Sequence, residues 1–107
     1  MKTPSRKQEE RHAARYGGRR TPGSGNGVIK NDVRTATDSW ELKITDAKQY
    51  ALKCEDLLKA EKYALLDGLN MRFKVEFRKF GRSFVVMSEE DYLVMEEQAR
   101  HGSQAES

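Results

Sequence analysis

The sequence predicts an α/β fold in which a mixed sheet is flanked by helices, in the order α-β-β-α-β-β-α. Two patterns support this prediction: short runs of alternating apolar and polar residues on both sides of residue 36 and again over 71–87, and apolar residues at helical spacing between them. A helix that joins two hairpins can serve as a crossover, which would give a sheet with both parallel and antiparallel pairs.

The chain has 107 residues, which is enough for one small domain with one core. We predict that residues 1–99 form this domain and that residues 100–107, which are small or polar, are a disordered tail. Hydrophobic residues make up only 36% of the chain, so dimerisation would add to its stability.

Positive charge is concentrated at the N-terminal end. Residues 1–34 contain nine Lys/Arg against three Asp/Glu, whereas the remainder carries an excess of acidic residues. A basic segment of this kind suggests a polyanionic partner, although it also serves solubility alone.

The composition also indicates a compartment. Cys54 is the single cysteine, which excludes a disulfide framework and a Cys-rich zinc site, and we expect it to be a small core residue. No apolar stretch has the length of a membrane span or a signal-peptide core. We therefore expect a soluble cytoplasmic protein with no membrane partner.

The first predicted helix begins near Thr3 or Ser5, each a good N-cap, and ends at Gly17 after Tyr16. Its apolar content is thin, so it requires a partner surface, either protein or DNA, to be stable.

The loop over residues 19–27 contains two arginines, three glycines and a proline. Glycines allow backbone N–H groups to approach an anion, and Arg19, Arg20 and Ser24 can bind phosphate. A flexible linker has the same composition, but the position of this loop directly before the first hairpin favours a functional role. Its glycine spacing matches neither a P-loop nor a dinucleotide fingerprint, so we expect no nucleotide cofactor.

The first hairpin carries the candidate site. A loop symmetric about residues 36 and 37 places Asp32 opposite Glu41 and Val33 opposite Trp40. Because side chains alternate along a strand, Asp32, Glu41 and Lys43 share one face, whereas Trp40 lies on the other. Directly opposed Cβ atoms are about 4.5–5.5 Å apart, so the two carboxylates repel unless a cation such as Mg²⁺ lies between them. The alternative is a strand edge that is simply decorated with charges.

The remaining elements follow from periodicity and capping residues. Apolar residues at helical spacing predict a long helix from Ala47, after the N-cap pair at residues 45 and 46, to Asp67, with Gly68 as its C-terminal cap. Residues 71–77 then alternate as a strand with one buried face, and residues 83–87 return as a more apolar strand with the length of a buried one. Ser88 begins a last helix.

These motifs together resemble the PD-(D/E)xK nuclease superfamily, and within it the compact Holliday-junction resolvases of archaea and phages. The resemblance covers residues 5–95 and implies a restriction-endonuclease-like sheet. Asn31 stands where the superfamily's name has a proline, and the segment from Glu10 to Arg20 is shorter than in the archaeal enzymes. The motifs that carry the resemblance are Glu10-Arg11, Arg20-Thr21-Pro22-Gly23-Ser24-Gly25, Asp32 and Glu41-Leu42-Lys43.

The resemblance implies a metal-dependent active site. One or two Mg²⁺ ions, with Mn²⁺ as a substitute, would be bound by Asp32, Glu41, the backbone carbonyl of Leu42 and Glu10, with Glu9 as the alternative to Glu10. Lys43 would position or activate the attacking water, and Ser24 would lie near the scissile phosphate.

The resemblance further implies a homodimer that cuts opposing strands of a four-way DNA junction. A nicking, restriction-like or fork and flap nuclease of the same fold is the first alternative, and a non-catalytic basic DNA-binding module is the second. The candidate DNA-binding residues are Arg6, Arg11, Arg19, Arg20, Ser24, Asn26 and Lys30.

Overall fold

The computed structural model describes residues 3–20 and 31–105, and in this part it contains three α-helices and a five-stranded mixed sheet. The predicted α/β class is therefore confirmed. No helix of the described ranges is long and apolar enough to cross a membrane. The elements in chain order are α1 (Pro4–Tyr16), β1 (Arg19–Arg20), β2 (Val33–Arg34), β3 (Asp38–Thr45), α2 (Cys54–Leu66), β4 (Asn70–Phe77), β5 (Arg82–Val86) and α3 (Glu89–Ala105).

The strands follow one another across the sheet in chain order, from β1 to β5. Strands β3 and β4 are parallel, and the other neighbouring pairs are antiparallel. The predicted hairpins and the crossover helix between them are confirmed. The two-residue strand β1, which pairs with β2, was not predicted because so short a segment has no periodicity of its own.

Helix α1 begins where its capping residues predict. The Thr3 hydroxyl accepts a hydrogen bond from the Arg6 N–H at 3.2 Å, and Gly17 ends the helix in a left-handed conformation with φ of 69°. The partner surface that this helix requires is the sheet, against which Gln8 and His12 are buried.

Helix α2 begins at Cys54, so the predicted start at Ala47 is wrong. Asp46 does not cap a helix, because both of its carboxylate oxygens accept hydrogen bonds from Arg78 at 2.7 Å. The Thr45 hydroxyl accepts from the Ala47 N–H at 3.0 Å, which holds a turn at the end of β3. The expectation that Cys54 is a core residue is also wrong, because it is exposed at the first position of α2.

Apolar side chains form one cluster on each face of the sheet. The cluster beneath α2 is larger, and that beneath α1 centres on Trp40. Buried members of the first are Ala60, Ala64, Met71, Phe73 and Val75, and buried members of the second are Val33, Trp40 and Leu42.

Strand β4 is buried on both faces, which corrects the prediction of one buried face. The polar side chains of β4 point to the face of the sheet that α1 covers, and they are also buried. Glu76 and Lys74 contact Arg11 and His12 on α1, and Arg72 contacts Asp91 on α3. Strand β5, by contrast, is largely exposed, although its apolar run has the length of a buried strand. It lies at the sheet edge, and Phe84 remains 52% exposed.

Helix α3 begins after Ser88, whose hydroxyl accepts a hydrogen bond from the Asp91 N–H at 3.1 Å. The helix continues to Ala105, past the boundary expected at residue 99 and into the segment expected to be a tail.

Candidate functional site

The register of the first hairpin agrees with the sequence-based prediction. Val33 pairs with Trp40 and Arg34 with Ser39, so Asp32, which precedes β2, lies beside Glu41. The carboxyl groups of Asp32 and Glu41 lie close enough for the charge of Asp32 to act strongly on Glu41. Two carboxylates this close repel each other unless one is protonated or a cation lies between them.

The predicted separation of the two faces of β3 is also confirmed. Trp40 and Leu42 pack beneath α1 with Ala13, whereas Glu41 and Lys43 line a cavity of about 280 Å³ beneath α2. Glu41 and Lys43 thus lie on the face of the sheet opposite to Trp40.

Backbone and side-chain hydrogen bonds fix the position of Asp32. Its Oδ2 accepts from the Leu42 N–H at 2.8 Å, so the carboxylate lies against the main chain of β3. Neighbouring Asn31 is buried, and its Nδ2 donates to Ser39 Oγ and to the Ala60 carbonyl, both at 2.9 Å. Asn31 therefore fastens the start of the hairpin to α2.

Burial and nearby negative charge govern the acidity of Glu41. Burial raises the pKa of Glu41 well above its usual range, and the hydrogen bond and charge of Asp32 raise it further, whereas Lys43 opposes the shift. Glu41 therefore binds a proton more readily than an ordinary glutamate does.

A third carboxylate acts on the pair from α1. Burial and the charge of Asp32 raise the pKa of Glu9, and Glu9 in turn contributes to the raised pKa of Glu41. Glu9 also forms an ion pair of 3.5 Å with Arg20. Glu10, the residue named first in the sequence-based prediction, forms an ion pair of 3.5 Å with Arg6. The structure thus brings the alternative, Glu9, to the acidic pair.

The side chains around Glu41 fit a divalent cation only in part. Within residues 3–20 and 31–105, no group of three His, Cys, Asp or Glu side chains is arranged to hold a metal ion. The two neighbouring carboxyl groups of Asp32 and Glu41 nevertheless supply the hard oxygen ligands that Mg²⁺ takes, and a cation between them would relieve their repulsion. Asp32 and Glu41 fit as a pair, and the complete coordination shell is not formed by carboxylates alone.

Helix α2 contributes side chains to the same cavity, although the sequence-based prediction assigned no functional residue to this helix. Asp56, Lys59 and Tyr63 line the cavity together with Glu41 and Lys43. The signal for them was present in the sequence, because residues 56, 59, 60 and 63 fall on one helical face and interrupt its apolar pattern with polar groups.

The predicted DNA-binding residues occupy different parts of the molecule. Arg6 and Arg11 are exposed on α1, and Arg11 contacts Glu76 at 3.2 Å on the face of the sheet opposite to Glu41. Arg19 and Arg20 are exposed on β1. Three further candidates, Ser24, Asn26 and Lys30, lie outside the described residues.

Comparisons with protein-family models, with curated proteins and with solved structures found no match for this chain.

Proposed function

We propose that this protein is a Mg²⁺-dependent, structure-selective DNA endonuclease. The observation that carries the proposal is the hairpin register that places Asp32 beside Glu41, whose side chain lines a cavity open to solvent together with Lys43. Two partly buried carboxyl groups held side by side destabilise a fold, and perturbed acidic groups in a cleft are typical of catalytic sites. The basic N-terminal third supplies attraction for a polyanion.

The proposed chemistry is hydrolysis of a phosphodiester, which builds negative charge on the phosphoryl oxygens. Asp32, Glu41 and the Leu42 carbonyl would hold Mg²⁺, which when bound stabilises this charge and lowers the pKa of water. The Leu42 N–H keeps the Asp32 carboxylate oriented. Lys43 would orient the attacking water and add a positive charge, and Lys59, which lines the same cavity, would add a second positive charge.

A four-way junction as the substrate, and a homodimer as the active form, rest on the resemblance to the junction resolvases. Exposed apolar residues on β5 and α3 support the dimer, because surfaces of this kind are common at homodimer interfaces. They include Phe84 (52% exposed), Val85 (46%), Leu93 (52%) and Met95 (46%).

Cleavage assays test the substrate directly. The protein should cut a synthetic four-way junction in Mg²⁺ and should bind it without cutting in Ca²⁺. Matched linear, flapped and forked DNA separate the junction resolvase from the nicking, restriction-like and fork or flap alternatives. Equal cutting of the junction and linear duplex would reject the resolvase assignment but keep the nuclease.

Substitutions in the hairpin test the active site. Lys43→Ala and Glu41→Ala should each reduce the cleavage rate by roughly 10²-fold or more, because each removes a group proposed to stabilise the transition state. Junction binding in Ca²⁺ should remain within a few-fold of wild type by gel shift. Lys62→Ala, on the exposed surface of α2, is the matched control. Full cleavage by either hairpin variant would refute the assignment.

The third carboxylate is tested by a pair of adjacent substitutions. Glu9→Gln should reduce cleavage more than Glu10→Gln, because Glu9 is coupled electrostatically to Asp32 and Glu41. Titration of the cleavage rate with Mg²⁺ should show a higher metal requirement for Glu9→Gln. A larger defect in Glu10→Gln would restore the assignment based on the sequence.

The second candidate function is a non-catalytic DNA-binding module with an inert acidic hairpin. The observation that favours it is that no three metal-ligating side chains group together within the described residues. Calorimetric titration with Mg²⁺ separates the two functions. Saturable binding that Asp32→Asn removes supports the nuclease, and absence of binding supports the inert hairpin.

A further inference from the structure

A second cavity, of about 240 Å³, lies on the opposite face of the sheet from Glu41 and Lys43. Helix α1 forms one wall, and β4 with the turn into β5 forms the other. Neither Glu41 nor Lys43 lines it. The residues that matter for its chemistry are Arg11, Arg15, Lys74, Glu76, Arg78 and Ser83.

Positive charge is in excess in this cavity, which four cationic side chains and one carboxylate line. Glu76 is paired with Arg11 at 3.2 Å, and Arg78 is held by two hydrogen bonds of 2.7 Å to Asp46. Within residues 3–20 and 31–105, Arg15 and Lys74 form no ion pair with a carboxylate. Two cations are therefore left to face the cavity.

Lys74 is the more unusual of the two, because it is only 9% exposed and its Nζ lies 3.1 Å from His12 Nδ1. An ammonium group can only donate, so the imidazole accepts this hydrogen bond and is neutral. Burial lowers the pKa of Lys74, and the charges of Arg15 and Arg11 lower it further, although Glu76 opposes them. A bound anion would relieve this crowding of like charges.

We propose that this cavity binds a phosphate group through Lys74, Arg15 and the Ser83 hydroxyl. The planar guanidinium of Arg15 offers paired donors that match two phosphate oxygens, the buried ammonium supplies a point charge, and the hydroxyl can donate to a third oxygen. The phosphate belongs either to the DNA backbone or to a free anion such as inorganic phosphate. This site is independent of the proposed nuclease function, because the sheet separates it from Glu41 and Lys43.

Calorimetry with inorganic phosphate at constant ionic strength tests the site. Wild type should show saturable binding, and Arg15→Gln should weaken it about tenfold, the loss expected for one charged hydrogen-bonding group. Ser83→Ala should weaken it by a smaller factor. Arg15 and Ser83 are both exposed, so neither substitution disturbs the core, whereas replacing buried Lys74 would test folding as well as binding. Arg100→Gln, an exposed helical arginine on α3, is the matched control.

The same variants identify the source of the phosphate. A short DNA duplex is titrated in EDTA, so that metal-dependent cutting does not occur. Weaker duplex binding by Arg15→Gln than by Arg100→Gln assigns the site to the DNA backbone. A loss confined to inorganic phosphate assigns it to a free anion. Absence of saturable phosphate binding in wild type, or equal losses in Arg15→Gln and Arg100→Gln, overturns the proposal. Lys43→Ala should bind phosphate normally, which separates this site from the active site.

Discussion

At the level of single residues, His12 shows how a polar side chain is accommodated beneath α1. Its ring packs against Tyr16 and Trp40, with centroids 4.3 and 4.2 Å away, and is 1% exposed. Because Nδ1 accepts from Lys74, the remaining proton lies on Nε2, which has no hydrogen-bond partner within the described residues. Burial lowers the pKa of His12 to about 4, and the charges of Lys74 and Arg15 act in the same direction.

This histidine should make stability depend on pH. The pKa is about 4 in the folded chain and 6.5 ordinarily, so below pH 6.5 the unfolded chain gains a proton that the folded chain does not. Stability is therefore fully present above pH 6.5 and is lost as the pH falls towards 4, by on the order of 3 kcal/mol at most. Urea unfolding of wild type and His12→Gln should be measured at several pH values. The free energy of unfolding should depend less on pH in the variant.

Nuclear magnetic resonance gives a measurement of the same group that does not require unfolding. The chain has two histidines, so His101→Gln leaves His12 as the single histidine for assignment. Its ring resonances should not move between pH 7 and 5.5. A titration midpoint near pH 6.5 for these resonances would contradict the burial of the His12 ring.

At the level of elements, the junction between α1 and the first hairpin is closely packed. Gly18 lies between α1 and β1, and a Cβ there would be 2.7 Å from the Arg34 carbonyl oxygen and 2.9 Å from Val33 Cγ1. Since the first of these atoms belongs to the backbone, the strand itself would have to move. The junction therefore depends on the absence of a side chain at this position.

Gly18→Ala should destabilise the protein by roughly 1–3 kcal/mol through overpacking of this junction. Gly102→Ala in α3 is the control, because nothing lies within 4 Å of a Cβ at that position. Thermal unfolding measures both variants. Equal melting temperatures of the two variants would show that the hairpin can move away from the added methyl group without loss of stability.

The same elements show what sequence patterns can and cannot determine. The face of Glu41 and the pairing of Val33 with Trp40 were predictable, because a symmetric loop fixes register and register fixes faces. The start of α2 was not, because Ala47 has helical spacing to later residues but the preceding Asp46 is bound to Arg78, which lies far away in sequence. The choice between Glu9 and Glu10 likewise depends on how α1 rotates against the sheet.

At the level of the whole molecule, the central sheet separates two charged surfaces. The cavity that Glu41 and Lys43 line lies beneath α2, and the cationic cavity lies beneath α1. Apolar packing contributes little to the attachment of helix α3, because its Leu93 and Val94 are more than half exposed. Its described polar contact with the sheet is made by buried Arg72, which is 3.2 Å from Asp91 and 3.5 Å from Asp38.

Asp91→Asn should therefore loosen α3 without unfolding the sheet. Removing one charged partner of Arg72 should weaken the attachment of α3 to the sheet by roughly 1–3 kcal/mol. Hydrogen exchange should accelerate in α3 and remain unchanged in β3 and β4. Glu90→Gln, an exposed neighbour in the same helical turn, is the control, and equal exchange in the two variants would contradict the role of Arg72.

The parallel pairing of β3 with β4 has a kinetic consequence. The strand that carries Glu41 and Lys43 gains its second neighbour only when Asn70–Phe77 arrives from beyond the crossover helix. Contacts between segments so distant along the chain form slowly, because the intervening loop must close before any pairing occurs. We expect the carboxyl pair and its cavity to appear together with the fully folded protein, so that a nascent chain lacking β4 carries no assembled site.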